Sequence, residues 1–317
     1  MLDCVHSVVH QRDAATQLIL VDNGSSDGSI DQVLEICCDV IVVSNDSNHG
    51  FGRACNQGAR EAQADYLLFL NTDVVLGDGS IASLVAAAQS SGCRIVQARS
   101  YRQDGEADST GKAITSWGFL LPSPSAPKVS GVVPIFAADG ACMLVERECF
   151  EQLGGFEESY FAYFEDIDLC WKARTRGWEV GLAPDAEVVH AGQATTRRIL
   201  KPHQAAFLSY RNRLRSVIAN PEPRTLCRML PLQVLGMAVA GLTFAGMRRW
   251  RESAGILLAM LWPLAHVREV LQQRSSVQSA RQVPDELVFR PHLVRRMTPK
   301  LAVRLLRGSL RRWRGWS

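Results

Sequence analysis

The chain has 317 residues, 47% of them hydrophobic, and a formal net charge of +3. That hydrophobic fraction is sufficient for a substantial core, in one large domain or two smaller ones. The nine cysteines are odd in number and contain no CxxC pair, which argues against a secreted disulfide scaffold and favours reduced thiols in a cytosolic compartment. No secretory signal is recognisable in MLDCVHSVVHQ at the start.

The small net charge conceals two regions of opposite sign. Residues 201–317 contain 21 Lys and Arg but 5 Asp and Glu, whereas the first 200 residues contain 14 basic and 27 acidic side chains. The acidic region suits metal-assisted chemistry, and the basic region suits an anionic surface, either lipid or nucleic acid. We therefore expect two regions with different functions.

Strand and helix patterns alternate in the first third of the chain. Apolar runs at 17–22, 40–43 and 66–70 predict strands, and amphipathic stretches between them predict helices. This alternation predicts a parallel sheet covered by helices on both faces. In such sheets ligands bind beyond the carboxyl ends of the strands, and a polar cluster follows each predicted strand here.

These clusters contain groups that could bind a nucleotide. Asp22 and Asn23 can hydrogen-bond a base or a ribose, although the same residue types form ordinary turns. The segment NHGFGRACNQG at 48–58 could bring backbone N–H groups close to a phosphate, but it lacks the P-loop spacing. Asn71-Thr72-Asp73 could hold Mg²⁺ or Mn²⁺ together with diphosphate oxygens, or could simply end the strand.

The most informative segment is YFAYFEDIDLCWKARTRGW at 160–178. Three acids, Glu165, Asp166 and Asp168, follow an aromatic cluster and precede a helical pattern. An ionised carboxylate beside aromatic walls could act as a general base, whereas the alternative is that the acids cap the helix. Residues 100–135 are rich in Gly, Ser and Pro and predict a mobile loop over the site.

The last third of the chain becomes very apolar and then very basic. Residues 229–247 and 254–267 carry no charge, which predicts an interfacial or re-entrant hairpin, with a membrane span and a soluble helical core as alternatives. Residues 293–317 combine leucines at helical spacing with arginines, which predicts a basic amphipathic helix on anionic lipid. The alternatives for this tail are a solvated helix or a nucleic-acid ligand.

Five blocks in order resemble the inverting family 2 glycosyltransferases of the GT-A fold, nearest to the bacterial rhamnosyl- and galactofuranosyltransferase-like branch. The blocks cover about residues 1–215 and read VDNGSSDGS, NHGFGRACNQG, LLFLNTD, GACMLVERECFEQLGGFEESYFAYFEDIDLCWKARTRGW and PDAEVVH. The resemblance implies a GT-A domain at 1–215, a nucleotide-diphosphate sugar donor and a glycan or lipid-linked acceptor. The apolar and basic pattern beyond this domain predicts a helical, membrane-associated region at 216–317, and hence a location at the cytoplasmic face of the plasma membrane. We expect no nucleic-acid partner, because aromatic residues for base stacking are scarce in the basic tail.

The resemblance also implies roles for individual residues. Asp166 matches the general base, flanked by Glu165 and Asp168, while Asp73 and His190 match ligands of Mg²⁺ or Mn²⁺. The residues matched to the cofactor or nucleotide side are Asp22, Asn23, Asn48, Phe51, Asn56 and Asn71.

Two departures from the family pattern leave other functions open. First, the family's usual first strand should precede MLDCVHSVVHQ, and we expect a GT-A domain that lacks this strand and begins at the following helix. Second, Asn71 stands where many relatives carry Asp, and an amide is a weaker metal ligand than a carboxylate. The alternatives are an impaired sugar-nucleotide-binding or assembly protein of a polysaccharide complex, and a nucleotidyltransferase that releases pyrophosphate.

Overall fold

A computed structural model describes residues 1–123, 131–191, 199–298 and 300–301. Its contacts divide the chain into two compact units. Unit 1 comprises Met1–Lys112, Pro122–Ala173 and Trp178–Gly192, and unit 2 comprises Ala113–Leu121, Arg174–Gly177 and Gln193–Ser317. The predicted boundary between residues 215 and 216 falls within a helix, Pro202–Ala219, and stays a prediction.

The chain folds into eleven α-helices and twelve strands in the part that the structure describes. The helices are α1 Leu2–Val9, α2 Ser29–Ile36, α3 Phe51–Glu61, α4 Ser80–Ser91, α5 Arg147–Gln152, α6 Glu165–Thr175, α7 Pro202–Ala219, α8 Pro223–Gly246, α9 Trp250–Ala265, α10 Val267–Ser279 and α11 Asp285–Val288. The strands are β1 Ile19–Asp22, β2 Ile41–Ser44, β3 Tyr66–Leu70, β4 Val74–Leu76, β5 Ile95–Arg102, β6 Ala107–Ser109, β7 Lys112–Thr115, β8 Leu120–Pro122, β9 Val133–Pro134, β10 Cys142–Glu146, β11 Val180–His190 and β12 Val294–Arg295.

Unit 1 is built on a mixed sheet in the order β3–β10–β5–β11–β4, with β6 paired to β5 and β9 paired to β11. The prediction of a parallel sheet is wrong for most of these pairs. β5 and β11 run parallel, but β10 is antiparallel to both of its neighbours, and β4 is antiparallel to β11. A buried apolar run has the same composition in either direction, so its pattern predicts a strand without predicting its orientation.

The strands β1 and β2 form a separate parallel pair. A small separate core consists of Val5 from α1, Val33 from α2, and Cys37 and Val40 from the loop between α2 and β2, and partly buried residues of β1 and β2 pack against it. The main core lies beneath α4, where Leu84 packs with Val96, Leu144 and Val188 from the sheet. Helix α1 also ties to the main sheet, because the Ser7 hydroxyl accepts the Leu76 N–H at 3.0 Å. All nine cysteines are free, and no two of them are joined in a disulfide.

The region between residues 100 and 135 is more regular than predicted. It contains the end of β5 and the strands β6 to β9, while residues 124–130 lie outside the described part of the chain. Short strands of two to four residues interrupted by glycines give little periodic signal, which explains why the sequence pattern reads as a loop. The strand β6 carries Asp108 and Ser109, so this region contributes polar side chains to unit 1.

Unit 2 is mainly helical. Helix α9 packs against α7 so closely that a side chain at Gly255 would lie 2.7 Å from the His203 carbonyl oxygen. Helix α8 is 24 residues long and contains Pro231, and it is long and apolar enough to cross a membrane by length and composition. Helices α9 and α10 meet at a bend of 75° and pass the same test as a bent pair. Residues 302–317, most of the predicted amphipathic tail, lie outside the described residues.

Candidate active site

The acidic segment at 165–168 follows a backbone with unusual torsion angles. Phe161, Tyr163 and Phe164 have φ values of 65°, 71° and 75°, in the left-handed region that residues with side chains rarely adopt. Helix α6 begins immediately afterwards, with all three acids in its first turn. Because such torsions persist only where the surroundings impose them, the aromatic segment fixes where the acids project.

Asp166 is held by two backbone amides. Its Oδ2 accepts the Gly140 N–H at 2.8 Å, and its Oδ1 accepts the Ile167 N–H at 2.7 Å. A side chain at Gly140 would lie 3.3 Å from the Asp166 Cβ and 3.4 Å from the Phe51 ring, so glycine permits this close approach. Burial, and then the negative charge of Asp139, raise the pKa of Asp166 to about 6.

Glu165 and Asp168 lie in different environments from Asp166. Glu165 is buried, its Oε2 forms no hydrogen bond, and burial followed by the charge of Asp166 raises its pKa to about 8. Its carboxyl group therefore holds a proton more strongly than an ordinary glutamic acid does. Asp168 is fully buried and its Oδ2 lies 2.8 Å from the Lys172 ammonium, so it has no surface on which to meet a substrate.

Asp73 and His190 come together at the other end of the site. The adjacent strands β4 and β11 align Val74 with His190, and the His190 Nε2 lies 3.4 Å from Asp73 Oδ1. The other ring nitrogen, Nδ1, lies 2.9 Å from Asp108 Oδ2 on β6. Hydrogen bonds to Asp108 and Asp73 raise the pKa of His190 to about 9, and His190 in turn lowers the pKa of Asp108.

A continuous set of contacts within unit 1 joins these two ends. Asp108 is followed by Ser109, whose hydroxyl donates to Asp139. Lys112 Nζ lies 2.7 Å from the same Asp139 carboxylate, and Gly140, the next residue, donates to Asp166. The predicted base and the predicted metal ligands therefore border one connected polar array rather than separate faces of the unit.

The side chains of three residues in this array, Asp108, Lys112 and Asp139, were not predicted from sequence. Asp108 and Lys112 lie in the region read as a loop, and Asp139 precedes the block GACMLVE without matching any motif. An acid three residues before the buried β10 is the one local signal that could have indicated Asp139, because strand ends near a site often carry functional groups.

The predicted nucleotide-side residues meet around the start of α3. Asn23 Nδ2 donates to the Gly50 carbonyl at 3.3 Å, and its Oδ1 accepts from Asn45 at 3.0 Å. Asn48 Oδ1 accepts the Gly50 N–H at 2.8 Å, and Asp22 Oδ1 accepts the Ser25 N–H at 2.9 Å. These contacts preorganise two loops beyond the carboxyl ends of β1 and β2.

Asn56 and Phe51 connect α3 to the segment that precedes α6. Asn56 is buried, its Nδ2 donates to the Phe156 carbonyl at 3.0 Å and to Glu158, and its Oδ1 accepts the Phe156 N–H at 2.9 Å. Both amide hydrogens are therefore used within the protein, so any effect of Asn56 on a nucleotide would be indirect. The Phe51 N–H donates to the Phe161 carbonyl at 2.8 Å, next to the strained aromatic segment.

The donor groups at one end of the site fit a divalent cation that is shared with a substrate. Among residues 1–123, 131–191, 199–298 and 300–301, no cluster of three His, Cys, Asp or Glu side chains could hold a metal by itself. Asp73 and His190 nevertheless provide a carboxylate and an imidazole on the same side of the sheet. Mg²⁺ and Mn²⁺ usually complete their coordination with water and phosphate oxygens, so two protein ligands suffice. Asn71 lies in the same turn, where its N–H donates to the Ala141 carbonyl at 2.9 Å.

Comparisons with known proteins point in one direction. Residues 1–154 match the family described as glycosyl transferase family 2. The chain is 26% identical over 242 residues to the low-salt glycan biosynthesis hexosyltransferase of Haloferax volcanii, covering 72% of this chain and 76% of that protein. It is 30% identical over 217 residues to the N-acetylglucosaminyl-diphospho-decaprenol L-rhamnosyltransferase of Mycobacterium tuberculosis, covering 60% of this chain and 71% of that protein.

The fold comparison agrees. The structure superposes on a mannosyltransferase of Pyrobaculum calidifontis, solved with GDP-Man and Mn²⁺, with a TM-score of 0.53 and 16% identity, covering 83% of this chain and 82% of that one. At this identity the match establishes the fold and confirms the predicted GT-A architecture with its helical C-terminal region. The chain therefore belongs to glycosyl transferase family 2 and is a glycosyltransferase.

Proposed function

We propose that this protein transfers a sugar from a nucleoside-diphosphate sugar to a hydroxyl group with inversion, and that Asp166 is the general base. The observation that carries the proposal is the environment of Asp166. Two backbone N–H groups fix its carboxylate, and its raised pKa of about 6 suits a base that works near neutral pH.

The reaction is a single displacement. Asp166 takes the proton of the acceptor hydroxyl as its oxygen forms a bond to the anomeric carbon. The bond from that carbon to the diphosphate breaks, and its electron pair leaves with the phosphate oxygen. No covalent sugar–enzyme intermediate is needed. Glu165 is buried, and its pKa is raised by burial and by the charge of Asp166, so we assign the role of base to Asp166 and not to Glu165.

The other end of the site would receive the diphosphate. Asp73 and His190 would hold Mg²⁺ or Mn²⁺, and such a cation supplies positive charge to the departing diphosphate. Asp108 orients the His190 ring through its contact with Nδ1, in the way that carboxylates commonly orient metal-binding imidazoles. Asp22, Asn23 and Asn48 would line the nucleotide side, with Phe51 between that side and Asp166.

The exposed apolar surface of unit 2 supports the part of the proposal that places the acceptor on a membrane. That acceptor would be a lipid-linked glycan at the cytoplasmic face. Helix α8 exposes Leu235, Val239 and Leu242 at helical spacing, and Leu242 is 74% exposed. Helix α9 exposes Leu257, Leu261 and Leu264 in the same manner, and Leu264 is 77% exposed. Apolar surface of this extent on two neighbouring helices is typical of a membrane or protein interface.

The charges at the turn between α8 and α9 favour contact with the bilayer from the side. Arg248 and Arg251 are exposed there, and Trp250 is 66% exposed between them. Arginines at this turn make it costly to insert the α8–α9 hairpin into the bilayer with the turn leading. Trp and Arg side chains instead suit the lipid headgroup region. We therefore place α8 and α9 along an anionic membrane surface, with their leucines in the interface.

The lipid contact is tested by changing both Leu242 and Leu264 to Ser. Burial of leucine contributes roughly 1.5–3 kcal/mol, so loss of two leucines should weaken binding to anionic vesicles at least tenfold. Leu287→Ser, an exposed leucine of α11 at 47% exposure, is the matched control and should bind as the wild type does. Equal vesicle binding by the wild type, the double variant and Leu287→Ser would show that the leucines of α8 and α9 do not contact the membrane.

The activity is tested with purified protein, MnCl₂ and a panel of nucleoside-diphosphate sugars that includes GDP-mannose and UDP-GlcNAc. The proposal predicts release of nucleoside diphosphate and a product whose anomeric configuration, measured by NMR, is opposite to that of the donor. Release of pyrophosphate would instead indicate a nucleotidyltransferase. Donor binding without any release would indicate the sugar-nucleotide-binding protein considered from sequence.

A further inference from the structure

A second carboxylate beside the proposed base has no part in the function proposed above. Asp139 directly precedes Gly140, the residue whose N–H donates to Asp166 Oδ2 at 2.8 Å. The Asp139 N–H donates to Gln97 Oε1 at 2.7 Å, so the backbone just before the peptide that meets Asp166 is anchored to β5. A shift of Asp139 would therefore move a hydrogen bond of the base.

The Asp139 carboxylate is itself held in place. Lys112 Nζ lies 2.7 Å from it, and the Ser109 hydroxyl donates to it. The side chains of Asp139 and Lys112 are 22% and 24% exposed, so this ion pair is largely removed from water. Charges in such a position act on neighbouring groups more strongly than charges on an open surface do.

We propose that the Asp139–Lys112 ion pair is a positioning device that sets the protonation of Asp166. The negative member favours proton uptake by the base, and the positive member limits that effect. The pair also fixes the Asp139–Gly140 peptide that holds Asp166 Oδ2. This inference rests on the proposed function, in which Asp166 is the base.

The groups that face Asp166 act in opposing directions. Burial raises its pKa most and the charge of Asp139 raises it next, whereas the N–H groups of Gly140 and Ile167 and the charge of Lys112 lower it. Glu165, the adjacent carboxyl group, is buried, and its own pKa is raised by burial and by the charge of Asp166. A carboxylate with a higher pKa accepts the acceptor's proton more readily, so the pair adjusts the strength of the base.

The experiment measures how the rate falls towards low pH, the acidic limb of the pH–rate profile, in variants of Asp139 and of Lys112. Nucleoside diphosphate release from the best donor of the panel, with MnCl₂, is followed from pH 4.5 to 8.5. Asp139→Asn keeps an oxygen for Lys112 but removes the charge, so its limb should move to lower pH by about half a unit or more. Lys112→Met leaves Asp139 uncompensated, so its limb should move to higher pH.

Opposite shifts from two substitutions in one ion pair cannot come from general damage to the fold. The double variant Asp139→Asn with Lys112→Met should lie between the single variants. Arg102→Met and Glu106→Gln, which break an exposed pair with a 2.6 Å contact in the turn after β5, are the matched controls and should leave the limb unchanged. Shifts in the same direction, or no shift in either variant, would overturn the proposal.

A second readout needs no substrate. A raised pKa of Asp166 in the folded state stabilises the protein at low pH, and this stabilisation is lost as the pH rises towards the folded pKa of about 6. The difference in Tm between wild type and Asp166→Asn should therefore decline as the pH rises between about 4 and 6. When both proteins also carry Asp139→Asn, the same Tm difference should decline over a lower pH range. A decline over the same pH range as without Asp139→Asn would contradict the inference.

The two proposals fail in distinguishable ways. Turnover by Asp166→Asn at the wild-type rate would remove the base assignment and this inference with it. An inactive Asp166→Asn, together with coincident pH limbs for Asp139→Asn, Lys112→Met and the wild type, would leave the base assigned and reject only the role of the ion pair.

Discussion

The two ends of the candidate site hold their titratable groups in opposite ways. Around Asp166, burial and a neighbouring carboxylate raise the pKa to about 6, so this group can exchange a proton near neutral pH. Around His190, two carboxylates raise the pKa to about 9, so its charge persists at neutral pH in the absence of a metal. One end is suited to moving a proton and the other to presenting fixed charge.

This contrast follows from the partners that each element supplies. Helix α6 brings Glu165 and Asp166 into a buried corner whose further carboxylate, Asp139, is itself paired with Lys112. The turn before β4 and the strand β6 instead place Asp73 and Asp108 beside the imidazole of His190, the last residue of β11. Like charges raise the pKa of a carboxyl group, whereas opposite charges stabilise the charged form of an imidazole.

Removal of divalent metal should have the largest effect at the fixed-charge end. Treatment with EDTA should reduce nucleoside diphosphate release to background, and excess MnCl₂ should restore it, because the departing diphosphate would lose its main source of positive charge. Asp73→Asn should lower the rate by at least about a hundredfold and raise the Mn²⁺ concentration needed. A rate that is insensitive to EDTA would show that no divalent metal at Asp73 and His190 is needed for departure of the diphosphate.

Asp108→Asn should have a smaller effect at the same end. It removes the carboxylate 2.9 Å from His190 Nδ1 without touching Asp73, so the ring loses its orienting charge. Loss of such an orienting carboxylate typically costs 10- to 100-fold in metal affinity or activity. The Mn²⁺ dependence of the rate measures this, with Asp104→Asn on the adjoining exposed turn as the control. An unchanged Mn²⁺ requirement would mean that Asp108 does not act through His190.

The pH dependence of kcat/KM should report the protonation of Asp166, at the proton-accepting end of the site. Because Asp166 must be unprotonated to act as the base, kcat/KM should fall about tenfold for each pH unit below about 6 and level off above it. Metal binding at His190 also releases a proton, so the measurement requires saturating MnCl₂ at every pH. A limb near pH 4, the range of an ordinary carboxylate, would show that the corner around Asp166 does not raise its pKa.

The sequence was most informative where a pattern was local. The strand Tyr66–Leu70 was predicted with its exact bounds, and the helix that begins at Glu165 was predicted from apolar spacing after the acids. Both depend on periodicity that a short window contains. The family resemblance then predicted the fold and the class of enzyme, which the comparisons confirm.

The remaining features depend on contacts between distant parts of the chain. Asp108 and His190 are 82 residues apart in sequence, and only the pairing of β6 and β11 with β5 brings them together. Asp139 is linked to Asp166 through the backbone N–H of the next residue, Gly140, and sequence does not show which distant side chain a backbone N–H will meet. The orientation of β10, antiparallel to both of its neighbours, is likewise decided by tertiary packing rather than by its own apolar residues.

The most direct test of the central claim compares turnover and donor binding for Asp166→Asn. Asparagine keeps the size of the side chain and one oxygen for the Gly140 N–H, but it cannot take a proton from the acceptor. The account predicts a loss of turnover of at least about a thousandfold while the Kd of the donor, measured by titration calorimetry, stays within a few-fold of the wild-type value. Asp31→Asn, an exposed substitution on α2, should behave as the wild type. Normal turnover by Asp166→Asn would contradict the account.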